Sequence, residues 1–218
     1  MLFEGRFDPM TWGWGFIRAP ATQVAAEFRR WQKSLDLPAK QKRSCAGLEG
    51  NLLALAEKLT TGPTVHLFQQ TENPAWSAYF RNSRSSQTYP VIRVVSDRLS
   101  TEGISITHRA RAGKSGHASL QFQYHFGDRN RAIATVCDDG RWTFDLVGDP
   151  FDFEETRTYR AKRIKDRLTP EMLDRYCAQF GLRLFDPEFY GNDGQLVTVD
   201  LGQQGEPLSV VRERLGLS

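Results

Sequence analysis

A hairpin near the middle of the chain constrains the fold more than any other segment. It covers residues 131–147, RAIATVCDDGRWTFDLV. Asp139-Gly140 supplies the positive φ angles that a two-residue type I′ turn requires. After the turn, apolar and polar side chains alternate, as they do in a strand with one buried face. The hairpin therefore predicts an antiparallel sheet with one apolar face.

Two registers of this hairpin are compatible with its apolar pattern. A two-residue turn places Cys137 opposite Trp142, whereas a slip by one residue places Val136 there. Both alternatives put apolar side chains together, so the pattern alone leaves the register open. We expect the first register, because Asp139-Gly140 favours the tight turn.

Further strands are predicted on both sides of the hairpin, at residues 11–18, 64–70, 91–96, 103–109, 118–126, 182–185 and 195–201. Residues 118–126 alternate most regularly, and residues 127–130 form a turn between them and the hairpin. Short links between consecutive strands indicate an antiparallel meander, since parallel pairs need long crossovers.

Helices are predicted at both ends of the chain, at residues 20–34, 48–59, 153–167 and 169–180, with short ones at 75–80 and 209–215. The apolar spacing of Val24, Phe28 and Trp31 is helical. Thr169 and Pro170 are typical of a helix start. The sorted charges of residues 154–167, acidic first and basic last, complement a helix dipole. Residues 39–44, AKQKRS, are expected to be a basic linker.

These elements predict an α+β fold in which a mostly antiparallel sheet is flanked by an N-terminal and a C-terminal helix pair. We expect one domain over residues 1–218. An alternative division gives a β-α-α-β subunit at 1–72 and a main sheet with the C-terminal helices at 73–218.

Composition indicates a soluble, cytoplasmic protein. The chain has 29 basic and 26 acidic side chains, a net charge of +3, which is too small to argue for nucleic acid or an anionic membrane. No apolar run approaches the roughly 20 residues that span a bilayer, and the N-terminus is unlike a signal peptide. The three cysteines are far apart and form no CxxC pair, so we expect free thiols.

The motifs indicate no cofactor and no metal. Gly113-Lys114-Ser115 resembles the end of a phosphate-binding loop, but His108 stands where that loop needs its first glycine. The four histidines show no metal-ligand spacing. We therefore interpret residues 113–115 as part of a turn between two strands.

Two alternative functions remain open at this stage. In the first, His66, His125 and dispersed carboxylates converge into a hydrolase-like site, with histidine as the proton-transfer group. In the second, the basic residues between positions 157 and 167 bind nucleic-acid phosphates. The spacing of those residues spreads charge around a helix, which argues against the second alternative.

Three segments carry a resemblance to a known class of proteins: WGWGFIRAP before the first helix, the 137–143 hairpin, and TPEMLDRYCAQFG near the end. In this layout the chain resembles the compact immunity-type proteins that bacteria encode beside polymorphic toxins. The resemblance implies a protein that binds a partner protein, such as a toxin domain, and inhibits it without turnover. The expected contacts lie in the 81–87 and 109–117 loops and the central turn, at Arg81, Arg84, Arg111, Lys114, His117, Asp138 and Asp139.

Overall fold

A computed structural model describes residues 1–110 and 116–217 of the chain. Within these residues the chain forms nine strands and five α-helices. The strands are β1 (Gly13–Ile17), β2 (Ala39–Ser44), β3 (Val65–Thr71), β4 (Ser77–Arg81), β5 (Gly103–Arg109), β6 (Ala118–Phe126), β7 (Arg129–Asp138), β8 (Arg141–Val147) and β9 (Tyr190–Val199). The helices are α1 (Ala21–Ser34), α2 (Gly47–Ala56), α3 (Tyr89–Leu99), α4 (Pro170–Ala178) and α5 (Leu208–Leu215).

All nine strands belong to one antiparallel sheet with the order β2-β9-β3-β4-β1-β5-β6-β7-β8. The α+β class and the antiparallel sheet are thereby confirmed. Strands β5 to β8 are consecutive neighbours and form the predicted meander. The other half of the sheet is assembled from distant segments, since β9 lies between β2 and β3.

The helices are distributed over both faces of the sheet. Helices α1 and α3 pack on one face, where Phe28 and Ile92 join a core with Tyr79 of β4. Side chains of α2, α4 and α5 belong to the core on the opposite face, which also contains Trp14 and Phe16 of β1. The expected helix pairs are therefore wrong, because α1 packs beside α3 while α2 lies on the other side of the sheet.

The central hairpin forms as predicted. Asp139 and Gly140 have φ angles of 46° and 83°, both in the left-handed region that a type I′ turn requires. Cys137 lies opposite Trp142, which is the register that the tight turn favours. Cys137 itself is fully buried, as expected for a small apolar residue of the sheet.

Two predictions between residues 75 and 96 are wrong. Residues 91–96 form part of α3 instead of a strand, and their buried side chains Val91, Ile92 and Val95 follow helical spacing. Residues 75–80 form no helix, because most of them belong to β4, which is buried along its whole length. A strand that is buried on both faces has no polar alternation to reveal it.

Three further segments differ from their predictions. Residues 39–44 are the edge strand β2 and not a linker, and they pair along their length with β9. The predicted helix at 153–167 is replaced by loops with short 3₁₀ turns at Thr158–Arg160 and Ile164–Asp166. Residues 182–185 lie outside the strands, although Leu182 and Leu184 are buried. No helix in the described part of the chain is long and apolar enough to cross a membrane.

Candidate protein-binding surface

Three of the predicted contact residues lie together at one corner of the sheet, which we call the hairpin corner (His117, Asp138 and Asp139). Nδ1 of His117 is 2.9 Å from Oδ1 of Asp138. One nitrogen or carboxylate oxygen from each of the three residues lies within 4.8 Å of the others. The side chains of His117 and Asp138 are 42% and 72% exposed. The hairpin corner is thus an accessible cluster of one imidazole and two carboxylates.

Strand register brings the corner together. The turn at Gly127 and Asp128 pairs Phe126 with Arg129, and the same register continues to Ala118 opposite Cys137. The next position along β6 and β7 is His117 opposite Asp138. Because directly opposed side chains of an antiparallel pair lie on one face, the two groups meet. The β7–β8 turn then adds Asp139.

The corner offers mainly hydrogen-bond acceptors. Two carboxylates accept from arginine, lysine or backbone N–H groups of a bound molecule, and charge-assisted bonds of this kind are the strong ones. The same three groups are also ligand types for a divalent cation. Exposed acidic groups reach this spacing without an ion, so the arrangement alone indicates no metal site.

Two of the other predicted contacts, Arg81 and Arg84, do not join this corner. Arg81 is buried at the end of β4, and its Nη2 donates to the carbonyl of Ser85 at 3.0 Å. Arg84 is 3.3 Å from a carboxylate oxygen of Glu206. Strand β4 is three strands away from β6 in the sheet, about 14 Å at the usual strand spacing. Arg111 and Lys114 lie outside the described residues.

The sheet face that carries the corner is open over β7 and β8, whereas α3 covers the His125 end of β6. The core under α1 and α3 contains no side chain of these three strands. Apart from buried His125, their residues on this face are half-buried or exposed, and several are small or polar: Ser119, Gln121, Gln123, Ala132, Ala134, Thr143 and Asp145. The hairpin corner thus borders an accessible sheet face that a large molecule can contact.

Strand β8 is the last strand of the sheet and has one neighbour, β7. Asp138 and Arg141 flank the two-residue turn and therefore form a hydrogen-bonded pair. Bonded and non-bonded pairs alternate from there, so the backbone groups of Trp142, Phe144 and Leu146 point away from β7. No described backbone group outside the hairpin bonds to them. We call this row of groups the β8 edge.

The two histidines of the proposed hydrolase-like site lie on different strands, β3 and β6. Four strand steps separate them in the sheet, which is about 19 Å. Burial lowers the pKa of His66 to about 3, and its Nδ1 lies 2.8 Å from the hydroxyl of Tyr79. His125 contacts Asp97 of α3 and Asn130 of β7. The structure therefore does not bring His66 and His125 into one cleft.

A cavity of about 240 Å³ that no sequence motif predicts lies on the other face of the sheet, behind the same corner. His108, Thr135, Trp142 and Lys165 are among its lining residues. Nδ1 of His108 and Oγ1 of Thr135 are buried without a hydrogen-bond partner among the described residues. Burial also lowers the pKa of His108 to about 4. Only the pairing of β5, β6 and β7 brings these side chains together, so no local sequence signal marks them.

The basic segment at 157–167 forms no continuous charged face. Arg163 is paired with Asp166 at 2.7 Å, and the guanidinium of Arg167 lies over the ring of Phe144. The nucleic-acid alternative assumes a helix at residues 157–167, and the structure forms loops and short turns there.

Comparison of the chain with protein-family models, with curated proteins and with solved structures gives no match.

Proposed function

We propose that this chain is a protein-binding module whose partner docks at the hairpin corner. The observation that supports this proposal is an exposed cluster formed by His117, Asp138 and Asp139. These three residues are predicted as contacts from separate positions in the sequence. Backbone pairing on a rigid sheet holds the two strands that carry them. A preorganised cluster loses less conformational entropy on binding than groups on independent loops.

The chemistry of the corner selects the kind of partner surface. Two carboxylates within 4.8 Å of each other favour a cationic group, and a planar guanidinium fits paired carboxylate oxygens best. The open face of β7 and β8 supplies an accessible area with few charges beside this anchor. The partner surface is therefore expected to present arginine or lysine next to a flat polar patch.

Inhibition of the partner without turnover is part of this proposal. It rests on the resemblance to immunity-type proteins of polymorphic toxin systems and on the acidic corner. Toxin domains that act on nucleic acids need cationic sites, because phosphates are bound by lysine and arginine. An acidic cluster on a rigid sheet is complementary to such a site and covers it.

Charge reversal at Asp138 tests the proposal. The chain is used as bait in a lysate of the source cell, and the captured partner is then titrated against purified variants. We expect Asp138→Arg to weaken partner binding by at least about tenfold, since like charges across an interface are costly.

Asp128→Arg is the matched control. Asp128 is also an exposed aspartate in a turn of β7, but it lies at the opposite end of that strand. This variant should bind as the wild type does. A wild-type chain that retains no stable partner, or equal losses in the two variants, would contradict the proposal.

A further inference from the structure

The β8 edge is a surface distinct from the hairpin corner, and its sequence is complementary to itself. Residues 141–145 read Arg-Trp-Thr-Phe-Asp. When two copies of this segment pair in antiparallel orientation, Arg141 of one copy lies opposite Asp145 of the other. Trp142 then lies opposite Phe144, and the two Thr143 residues lie opposite each other. Directly opposed pairs of these kinds stabilise antiparallel strands.

The hydrogen-bonding pattern of the edge agrees with this pairing. If Thr143 lies opposite its own copy, Trp142 lies opposite Phe144 of the second chain. Both residues direct their backbone groups outward from β7, so they meet as a hydrogen-bonded pair. Thr143 directs its backbone groups toward β7, as a residue of a non-bonded pair must. The self-complementary register is therefore one that the backbone permits.

Among the described residues, the charges of β8 lack a complete set of partners within one chain. Asp145 is exposed and lies opposite Ala134, and the neighbouring β7 residues on the same face are Ala132 and Val136. Arg141 lies opposite Asp138, whose ion pair is made with His117. A second copy would place a guanidinium beside Asp145 and a carboxylate beside Arg141, twice per dimer.

We propose that two copies of the chain pair through β8 in antiparallel orientation, centred on Thr143. The two sheets then form one continuous sheet across a twofold axis, as an isologous contact requires. Trp142 and Phe144, half-buried in one chain, are covered by their counterparts. Pairing also satisfies backbone groups that an edge strand otherwise leaves to water.

Neighbouring registers are less favourable. Centring on Phe144 puts Arg141 opposite Val147 and leaves both charges unpaired. Centring on Asp145 places two aspartates directly opposite each other, which is destabilising. Charge pairing therefore selects the Thr143 register.

A charge-swap series tests this proposal by sedimentation velocity. Strands of seven residues extend about 23 Å, so the interface is small and a micromolar Kd is expected. The wild type should therefore be dimeric at about 100 µM. Asp145→Arg and Arg141→Asp each place like charges opposite each other and should give monomers. The double variant should regain the dimer, because it restores both pairs with reversed signs.

Both substituted side chains are exposed, and circular dichroism checks that each variant keeps its fold. A wild-type chain that is monomeric at about 100 µM overturns the proposal. A double variant that stays monomeric does the same. These readouts need no partner protein, so they are independent of the test at Asp138.

Cross-linking tests the register in the same protein. Non-bonded antiparallel neighbours have Cα atoms about 4.5 Å apart, within the range of a disulfide. In a Cys45→Ser background, which removes the exposed native thiol, Thr143→Cys should form a disulfide-linked dimer under mild oxidation. Asp145→Cys is the control, because its two copies would lie about 13 Å apart. Failure of Thr143→Cys to cross-link, or equal cross-linking of both variants, overturns the register.

Discussion

Arg131 and Glu154 form an ion pair inside the protein, with Nη2 of the arginine 2.6 Å from Oε2 of the glutamate. The side chains are 3% and 0% exposed. Glu154 also accepts a hydrogen bond from the hydroxyl of Tyr159 at 2.8 Å. The pair fastens the loop after β8 to β7, and therefore to the strand that carries Asp138.

Removing the charge of Glu154 should destabilise the fold strongly. Glu154→Gln keeps the shape of the side chain but leaves Arg131 as a buried cation without its counter-ion. Loss of one partner of a buried pair costs about 3–5 kcal/mol in the free energy of unfolding. Glu155→Gln is the control, because its partner Arg175 is exposed and such surface pairs contribute about 0–1 kcal/mol. Urea denaturation measures both, and equal effects would contradict the structural role of Glu154.

The buried imidazole of His66 should make stability depend on pH. Burial lowers its pKa to about 3 in the folded state, whereas an unfolded histidine has a pKa of about 6.5. Below about pH 6.5 the unfolded chain binds the proton and the folded chain does not. His66 therefore lowers the free energy of unfolding by up to about 1.4 kcal/mol per pH unit as pH falls toward 3.

His66→Gln checks this contribution, because it removes the titrating group and keeps a polar side chain beside Tyr79. Denaturant titration between about pH 6 and pH 4 gives the free energy of unfolding at each pH. This free energy should fall less steeply with decreasing pH in the variant than in the wild type, and the difference in slope should correspond to about one proton taken up on unfolding. Identical slopes would show that His66 does not titrate differently in the folded and unfolded chains.

Two glycines at the ends of β8 should respond differently to alanine. Both have positive φ, +83° at Gly140 and +73° at Gly148. A Cβ on Gly140 meets no atom within 4 Å, so Gly140→Ala should cost about 1–2 kcal/mol from backbone conformation alone. A Cβ on Gly148 would lie 1.9 Å from the carbonyl oxygen of Asn130. Gly148→Ala should therefore be clearly more destabilising in denaturation experiments, and the reverse order would contradict the hairpin geometry.

The N-cap of α4 provides a local test. Oγ1 of Thr169 accepts a hydrogen bond from the backbone N–H of Met172 at 3.3 Å. Thr169→Ala removes this acceptor and should lower the free energy of unfolding by about 1 kcal/mol, whereas Thr169→Ser retains it. Thermal denaturation of the two variants checks the expectation, which fails if serine and alanine behave alike.

Local chemistry explains which elements were predictable from sequence. The β7–β8 hairpin and α4 follow from residues that fix their own turn or cap, namely Asp139-Gly140 and Thr169-Pro170. Helix α3 was not predicted because Val91, Ile92, Val94 and Val95 have high strand propensity, and burial outweighs that propensity. The charge pattern predicts Glu154 in the first turn of a helix, whereas its partner in the structure, Arg131, lies 23 residues away.

Long-range pairing was the larger obstacle. Strand β2 is polar and lies at an edge of the sheet, where charged residues are common. Its partner β9 is about 150 residues away, and Arg43 meets Asp193 across that pair. No periodicity within 39–44 reveals such a neighbour. The outer position of β8 also depends on the strand order, which the sequence does not indicate.

The hairpin corner was predictable in part. The sequence predicts Asp138, Asp139 and His117 as contacts, but it does not predict that they lie together. The turn at Gly127 and Asp128 sets the register between β6 and β7, and this register places His117 opposite Asp138. The cavity near His108 has no comparable signal.

The stoichiometry of inhibition tests the central claim most directly. The partner captured through the hairpin corner is assayed for its own activity while this chain is titrated in. We predict that activity falls linearly and is abolished at one chain per partner, and that Asp138→Arg shifts the curve while Asp128→Arg does not. A partner that stays active when saturated with this chain would contradict the account, as would a partner inactivated by far less than one equivalent.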